Sequence, residues 1–411
     1  MSYDVDAVRA RYPALADGWA YLDGAAGTQV PTAVIEAESA AYAAGIGNHG
    51  GYFAASARSD AHSRAAREAV VDLVGAPSVD GVALGPSMTA LTYRFADGLS
   101  RTWRAGDEVV VTRLDHDANV RPWVQAAARA GATVRWAVPT LPEVELPVEA
   151  VTEHLTDRTR LVAVTAASNV IGTRPDVRAI TDAAHAVGAL VYVDGVHATP
   201  HTPVDVAALG ADLYATSAYK WSGPHLAAVV GDPGLLETVR PDKLASSSDA
   251  VPDRFEYGTS PFAQHAGLAA AVDHLAGLAD VAGLSAGLSA GLSAGRRARL
   301  LASMAAVEAH EGALLHRLVD GLAAMDHVER LGSPARQAPT VWFRVRGTSP
   351  DDVAQHCAKA EVNVWSGHNY AWELAGLLGI RDSGSAVRAS LSCYSSAEDV
   401  DRLLAAVAGL G

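Results

Sequence analysis

An acid and a lysine, Asp194 and Lys220, stand 26 residues apart, each at the end of an apolar run. Asp194 closes Leu190-Val191-Tyr192-Val193. Lys220 follows Asp212-Leu213-Tyr214-Ala215-Thr216-Ser217 by way of Ala218-Tyr219. Such runs suit buried parallel strands, and open α/β sheets bind ligands beyond the carboxyl ends of their strands. The pair suits pyridoxal phosphate. A lysine holds that cofactor's aldehyde as a Schiff base, and an acid keeps its pyridine nitrogen protonated so that the ring draws electrons from the substrate Cα. Taken singly, Asp194 reads equally as a turn cap and Lys220 as a surface lysine.

The elements that must position this pair are a repeating strand–helix pattern. Strand-like runs at Val82–Leu84, Glu108–Thr112 and Leu161–Thr165 precede the two already named, and a helix is expected over 176–188. This alternation predicts a mainly parallel sheet covered by helices. Asp194-Gly195-Val196-His197 and Ser217-Ala218-Tyr219-Lys220, followed by Gly223-Pro224, resemble the class V aminotransferases of fold type I, within them the cysteine desulfurase-like branch. The resemblance runs from Tyr21-Leu22-Asp23 to the final helix. It implies a large domain over 16–280 with a sheet of the seven-stranded type, and a small α+β C-terminal domain over 296–411 on which residues 1–15 pack.

The resemblance also implies roles. Lys220 carries the cofactor and Asp194 meets its ring nitrogen. His116, in Asp115-His116-Asp117-Ala118-Asn119, stacks on the ring. Asn169 and His197 approach the phenolic oxygen, and Asn169 also approaches the substrate carboxylate. Ser87 and Met88, where a strand meets a helix, hold the phosphate with Ser217 and Tyr219; Pro86 withdraws one N–H from that cradle. Arg254-Phe255-Glu256-Tyr257-Gly258-Thr259 matches a stretch whose threonine, Thr259 here, crosses a dimer interface to the partner's phosphate, so a homodimer is implied. Arg388 grips the substrate's α-carboxylate. Ala26 in the Gly24–Thr28 loop lines the substrate pocket. Bland alternatives stand beside several of these: a cap for Ser87, a turn residue for Asn169, a plain glycine turn at Gly24–Thr28.

One departure bears on the reaction. Cysteine desulfurases carry a nucleophilic cysteine on a loop of the small domain. Here that loop reads Ser366-Gly367-His368-Asn369-Tyr370-Ala371, with Tyr370 in the cysteine position and His368 and Asn369 beside it. A phenol cannot store sulfur as a persulfide. Cys357 falls on a predicted helix, and Cys393 lies five residues past Arg388, about 17 Å along an extended strand. The expected reaction is therefore Cα deprotonation of a small amino acid followed by β-elimination, as in a cysteine or cysteine-conjugate C–S lyase. Transamination, epimerisation and direct release of sulfide stay open.

Composition bounds the remainder. The chain has 411 residues, 49% of them hydrophobic, enough to bury a full core. A net charge of −14 disfavours a nucleic-acid partner. Two cysteines exclude a disulfide scaffold and suit a reducing cytoplasm. No secretory signal is read at Met1–Asp6, and no apolar run reaches the ~20 residues that span a bilayer. From Gly283 to Gly295 the unit Gly-Leu-Ser-Ala repeats, and each interior glycine costs a helix about 1 kcal/mol; a low-complexity linker is expected over 281–295. Beyond it come an amphipathic helix over 296–325, a strand over 340–345, a helix over 350–360 and a half-buried strand over 387–394. Ser395 and Glu398 read as a capping box for the last helix.

Overall fold

A computed structural model of the chain describes residues 3–281 and 295–411. The Gly-Leu-Ser-Ala repeat lies outside the described residues, except at the two ends of the 281–295 stretch. The central sheet has seven strands: β1 (Val82–Gly85), β2 (Glu108–Thr112), β3 (Thr133–Ala137), β4 (Thr159–Thr165), β5 (Leu190–Asp194), β6 (Leu213–Ser217) and β7 (Ala227–Gly231). Their spatial order is β1-β7-β6-β5-β4-β2-β3. All neighbours are parallel except where β7 runs against β6 and β1.

The period of two along each strand sorts its side chains to two cores. Val110, Val162, Val164, Val191 and Val193 pack on one face, and Val109, Val111, Leu161, Ala163 and Tyr192 on the other. Both faces are dry, which is why these strands read as unbroken apolar runs rather than as alternating ones. A fully buried valine contributes about 2 kcal/mol, so the register of the central strands is strongly enforced. That register sets Asp194 beside Thr165 on one side and Ala215 on the other. The helix expected over 176–188 forms from Val177 to Ala186, capped by the Asp176 side chain.

A second, antiparallel sheet has β8 (Val328–Leu331), β9 (Thr340–Val345), β10 (Trp365–Gly367) and β11 (Ala386–Ser390) in the order β10-β11-β9-β8. The amphipathic helix Arg296–Ala323 buries Leu314, Leu318 and Leu322 against this sheet, and Leu300, Met304 and Val307 against the core of the large one. Two local readings are corrected. The strand at 387 is shorter than expected and buried on both faces, because its polar side, Arg388 and Ser390, turns toward the cleft rather than to solvent. The capping box sits one residue later, at Ser396 and Asp399; the Ser395 hydroxyl instead accepts from the Ser392 N–H.

The start of the chain closes onto its end. Ala20–Tyr21 pairs in parallel with Val362–Asn363, and Asp23 bridges to Ser390. Before that, the Tyr3 hydroxyl donates to the Cys393 carbonyl and Arg9 pairs with Asp399. Tyr12 touches both halves of the molecule, its hydroxyl 2.9 Å from Ser222 Oγ and 3.3 Å from Cys393 Sγ.

Candidate active site

The ends of β5 and β6 and the small sheet enclose a cavity of about 240 Å³. Asp194 forms its floor, fully buried, with Oδ1 accepting from the Val196 N–H at 2.9 Å. The turn behind it needs a glycine: a Cβ on Gly195 would occupy the space of the Tyr214 ring. Burial raises the Asp194 pKa to about 6, against the opposing pull of the Val196 N–H and Lys220. A carboxylate this deep with a single hydrogen bond calls for a protonated partner.

Lys220 lies on a single 3-10 turn, Ala218–Lys220, directly after β6. Its ammonium donates to the Ala25 carbonyl. Burial first, and then the Arg388 charge, bring its pKa down to about 7. Near neutral pH the amine is therefore available as a free base, the form that attacks an aldehyde or takes a proton.

His116 makes a side wall. Its Nδ1 accepts from the Ala118 N–H at 3.0 Å, which leaves the ring proton on Nε2. Burial, with Lys220 and Arg388 nearby, lowers its pKa to about 3, so the wall is a neutral, flat imidazole. Asp115 lies beneath it and does not reach the cavity lining; it binds Thr112 and Asn119 and, through burial, is raised to about 8.

Ser87, Met88 and Thr89 line one end of the cavity at the start of the helix Met88–Ser100. The Ser87 hydroxyl accepts from the Ala90 N–H at 3.1 Å, so this residue is a helix cap as well as a cavity wall. With Ser217 across from it, this helix start offers N–H and hydroxyl groups to an anion.

The opposite end carries a buried cation. Arg388 projects from the middle of β11, buried, and lowered to about 10 by desolvation. Its Nη1 donates to the Asn169 carbonyl at 3.2 Å, while its Nε is buried without a partner. Asn169 lines the cavity, its amide donating to the Asn369 carbonyl at 2.8 Å and its own Oδ1 unpartnered. His197 also lines it, with Nε2 2.8 Å from the Thr340 hydroxyl and its pKa depressed chiefly by burial.

Of the residues expected from sequence, the cavity brings together Ala26, Ser87, Met88, His116, Asn169, Asp194, His197, Ser217, Tyr219, Lys220, Tyr370 and Arg388. Tyr219 also lies flat on His225, with ring centroids 4.9 Å apart. His368 does not line the cavity: its Nδ1 accepts from the Tyr370 N–H, and its ring meets the Trp372 edge. Thr259 stands in an exposed loop outside the lining; Arg254 and Glu256, which precede it, are anchored to Glu237 and Arg67. Sequence reasoning missed Trp365, a wall residue from β10. Its signal was slight, a tryptophan immediately before the loop at Ser366.

The fit to pyridoxal phosphate rests on this arrangement: an under-compensated buried carboxylate at one wall, a lysine near neutrality, a flat neutral imidazole, and a helix start with hydroxyls. Among the described residues no group of three or more metal-ligating side chains occurs.

Comparison with known proteins agrees. The family model of aminotransferase class V matches residues 20–294 and 290–403. The chain is 35% identical, over the full length of both, to an uncharacterized protein of Mycobacterium tuberculosis. It is 31% identical to a probable cysteine desulfurase of Vibrio cholerae, covering 99% of this chain and 98% of that one. The crystal structure of the cysteine desulfurase CsdA from Escherichia coli superposes with a TM-score of 0.84 at 28% identity, over 100% of this chain and 99% of that one. Given the site and these matches, the chain belongs to the class V aminotransferases and is a pyridoxal phosphate-dependent enzyme of their cysteine desulfurase-like branch.

Proposed function

We propose that the protein cleaves the Cβ–S bond of cysteine or a cysteine conjugate by β-elimination, without forming a persulfide on its own chain. The observation that carries this reading is the absence of a thiol from the cavity lining. The loop residue in the cysteine position is Tyr370, which lines the cavity and whose ring stacks on His116 at 5.1 Å. Both cysteines are buried elsewhere, Cys357 in the small-sheet core and Cys393 beside Tyr12, and burial raises their pKa values to about 11 and about 12. The thiolate is the form that attacks sulfur, and neither cysteine offers it. The relatives named as cysteine desulfurases support a cysteine-type substrate.

Bound at this site, pyridoxal phosphate supplies the sink for the electron pair left at Cα. The chain's residues do the remainder. Arg388 binds the α-carboxylate and sets which Cα bond faces the lysine. Lys220 Nζ accepts the Cα proton, a task its lowered pKa suits. Asp194 holds a proton on the ring nitrogen, and His116 keeps the ring plane fixed and water off that face. Overall, R–S–CH2–CH(NH3+)–COO− and water give R–SH, pyruvate and ammonium; the Cβ–S pair leaves with sulfur. We propose, too, a homodimer in which Thr259 serves the neighbouring site.

The test is to incubate the holoenzyme with cysteine and S-substituted cysteines, following pyruvate and thiol together and weighing the protein afterwards. Equal pyruvate and thiol with no sulfur adduct is the expected result. A persulfide on Cys393, or alanine instead of pyruvate, would sink the elimination reading.

A further inference from the structure

A second cavity, of about 570 Å³, adjoins the first across Ala26, Tyr219 and Trp365, which line both. Trp365 stands at this passage, 53% exposed, although it is one of the largest apolar side chains. The stacked Tyr219 and His225 rings, 2° apart in plane, form a second flat wall. The walls carry two carboxylates, Asp23 and Glu38, and neither a lysine nor an arginine.

These two acids are not alike. Asp23 feels the Arg388 charge, although its Oδ1 is buried without a hydrogen-bond partner. Glu38, on the helix Thr32–Ala44, lies against Gly267 of the helix Phe262–Ala276, where any Cβ would collide with its carboxylate. Burial raises its pKa, and among the described residues it makes no salt bridge that would offset this. A half-buried carboxylate left this way costs free energy that a bound cation would return. In the first cavity Arg388, the cross-strand partner of Trp365, holds the opposite charge. The two together define a ligand with a carboxylate at one end, a cation at the other, and an apolar stretch lying along Trp365.

We propose that the substrate is an S-substituted cysteine whose substituent crosses Trp365 and ends in a cationic group held by Glu38. This rests on the elimination reading above. Free cysteine ends at its thiol, so it carries no group for the interactions that the second chamber supplies.

The experiment compares S-propyl-, S-(3-aminopropyl)- and S-(2-carboxyethyl)-cysteine by pyruvate release, in the wild-type holoenzyme and in Glu38→Gln. The aminopropyl conjugate is expected to exceed the propyl one in kcat/KM by tenfold or more, and the carboxyethyl conjugate to be the poorest. In Glu38→Gln the aminopropyl-to-propyl ratio should fall to threefold or less. Because the ratio is taken within one preparation, it is independent of the fraction of folded protein. The α-methyl form of the aminopropyl conjugate has no Cα proton to lose, and calorimetry on it reads affinity alone; a tenfold weakening is expected in the variant. Equal rates for the three conjugates, or a ratio unmoved by Glu38→Gln, would overturn the inference. Should no cysteine derivative release pyruvate, the elimination reading fails by itself, and the α-methyl ligand still decides whether Glu38 binds the cation.

Discussion

The floor of the cleft and its rim are built on different principles. Asp194 and Lys220 end adjacent parallel strands, and their positions follow from a dry core on both sheet faces. The loop around Tyr370 has no such support. Asn369 and Tyr370 adopt left-handed φ values of 47° and 59°, and Tyr370 is 65% exposed. Two hydrogen bonds hold the loop to the large sheet: Asn169 Nδ2 donates to the Asn369 carbonyl, and the Asp117 N–H to that of Tyr370, each at 2.8 Å. The floor fixes what the cofactor does to Cα. In the elimination proposed above, the rim would decide what becomes of the sulfur, and it can change identity without disturbing the core.

The sharpest way to break this contrast is at the floor. Lys220→Ala should lower kcat about 10³-fold or more, because both the cofactor's covalent anchor and the Cα base are lost. Borohydride treatment followed by peptide mapping should then find no lysine carrying the cofactor; a labelled lysine elsewhere would refute the assignment. Next in size, Arg388→Ala should reduce kcat/KM about 10²- to 10³-fold, in keeping with the ~2–5 kcal/mol cost of truncating one partner of a buried charge pair. Steady-state kinetics at fixed cofactor saturation would read it.

A third test separates function from stability at the floor. In the cofactor-free chain, Asp194 titrates near 6 when folded against 3.8 unfolded. Between those values the native state holds more protons, so stability falls as pH rises through that window, and the cost is complete above it. Asp194→Asn removes this cost while keeping the acceptor for Val196. It should stabilise the cofactor-free protein at pH 7 by roughly 2–3 kcal/mol, read as a higher melting temperature, while lowering activity of the loaded enzyme. Lys220 acts in the opposite direction along the pH scale. Its pKa of about 7 against 10.5 gives a destabilisation that is full below pH 7 and is relieved as pH rises to 10.5. A melting temperature unchanged in Asp194→Asn would show the carboxylate to be compensated.

The smallest effects belong to the thiols and the rim. Cys357→Ala with Cys393→Ala should leave kcat within about twofold while costing roughly 1–3 kcal/mol of stability through lost packing. Conversely, Tyr370→Cys should let intact-protein mass spectrometry detect a sulfur adduct after exposure to cysteine. Its absence would mean that the loop's backbone, and not the side chain alone, departs from a desulfurase.

The floor was legible in the sequence because its constraints are repetitive: apolar runs of strand length, each ending in a residue with chemistry. The same logic placed His116 and Asn169 after β2 and β4. The rest depended on contacts that no local pattern announces. Arg388 read as one face of a half-exposed strand, and only the approach of the large sheet buries that face. The cap at the last helix slipped by one residue because two serines in succession both precede an acid at the right spacing. Trp365 and Glu38 come from segments more than 300 residues apart and meet at one cavity wall through the tertiary fold.

The closure of the chain's start onto its end also fixes an order in time. Ser87 to Lys220, which supply the anion cradle, His116, Asn169, Asp194 and the lysine, all leave the ribosome well before Arg388, which is 23 residues from the C-terminus (411 − 388). Domains fold as they emerge, N-terminal parts first. The half of the cleft proposed to hold the cofactor is thus synthesised first, and Arg388, proposed to hold the amino acid's carboxylate, is added last. With those roles, a nascent chain would present its cofactor-binding residues before its substrate-binding arginine.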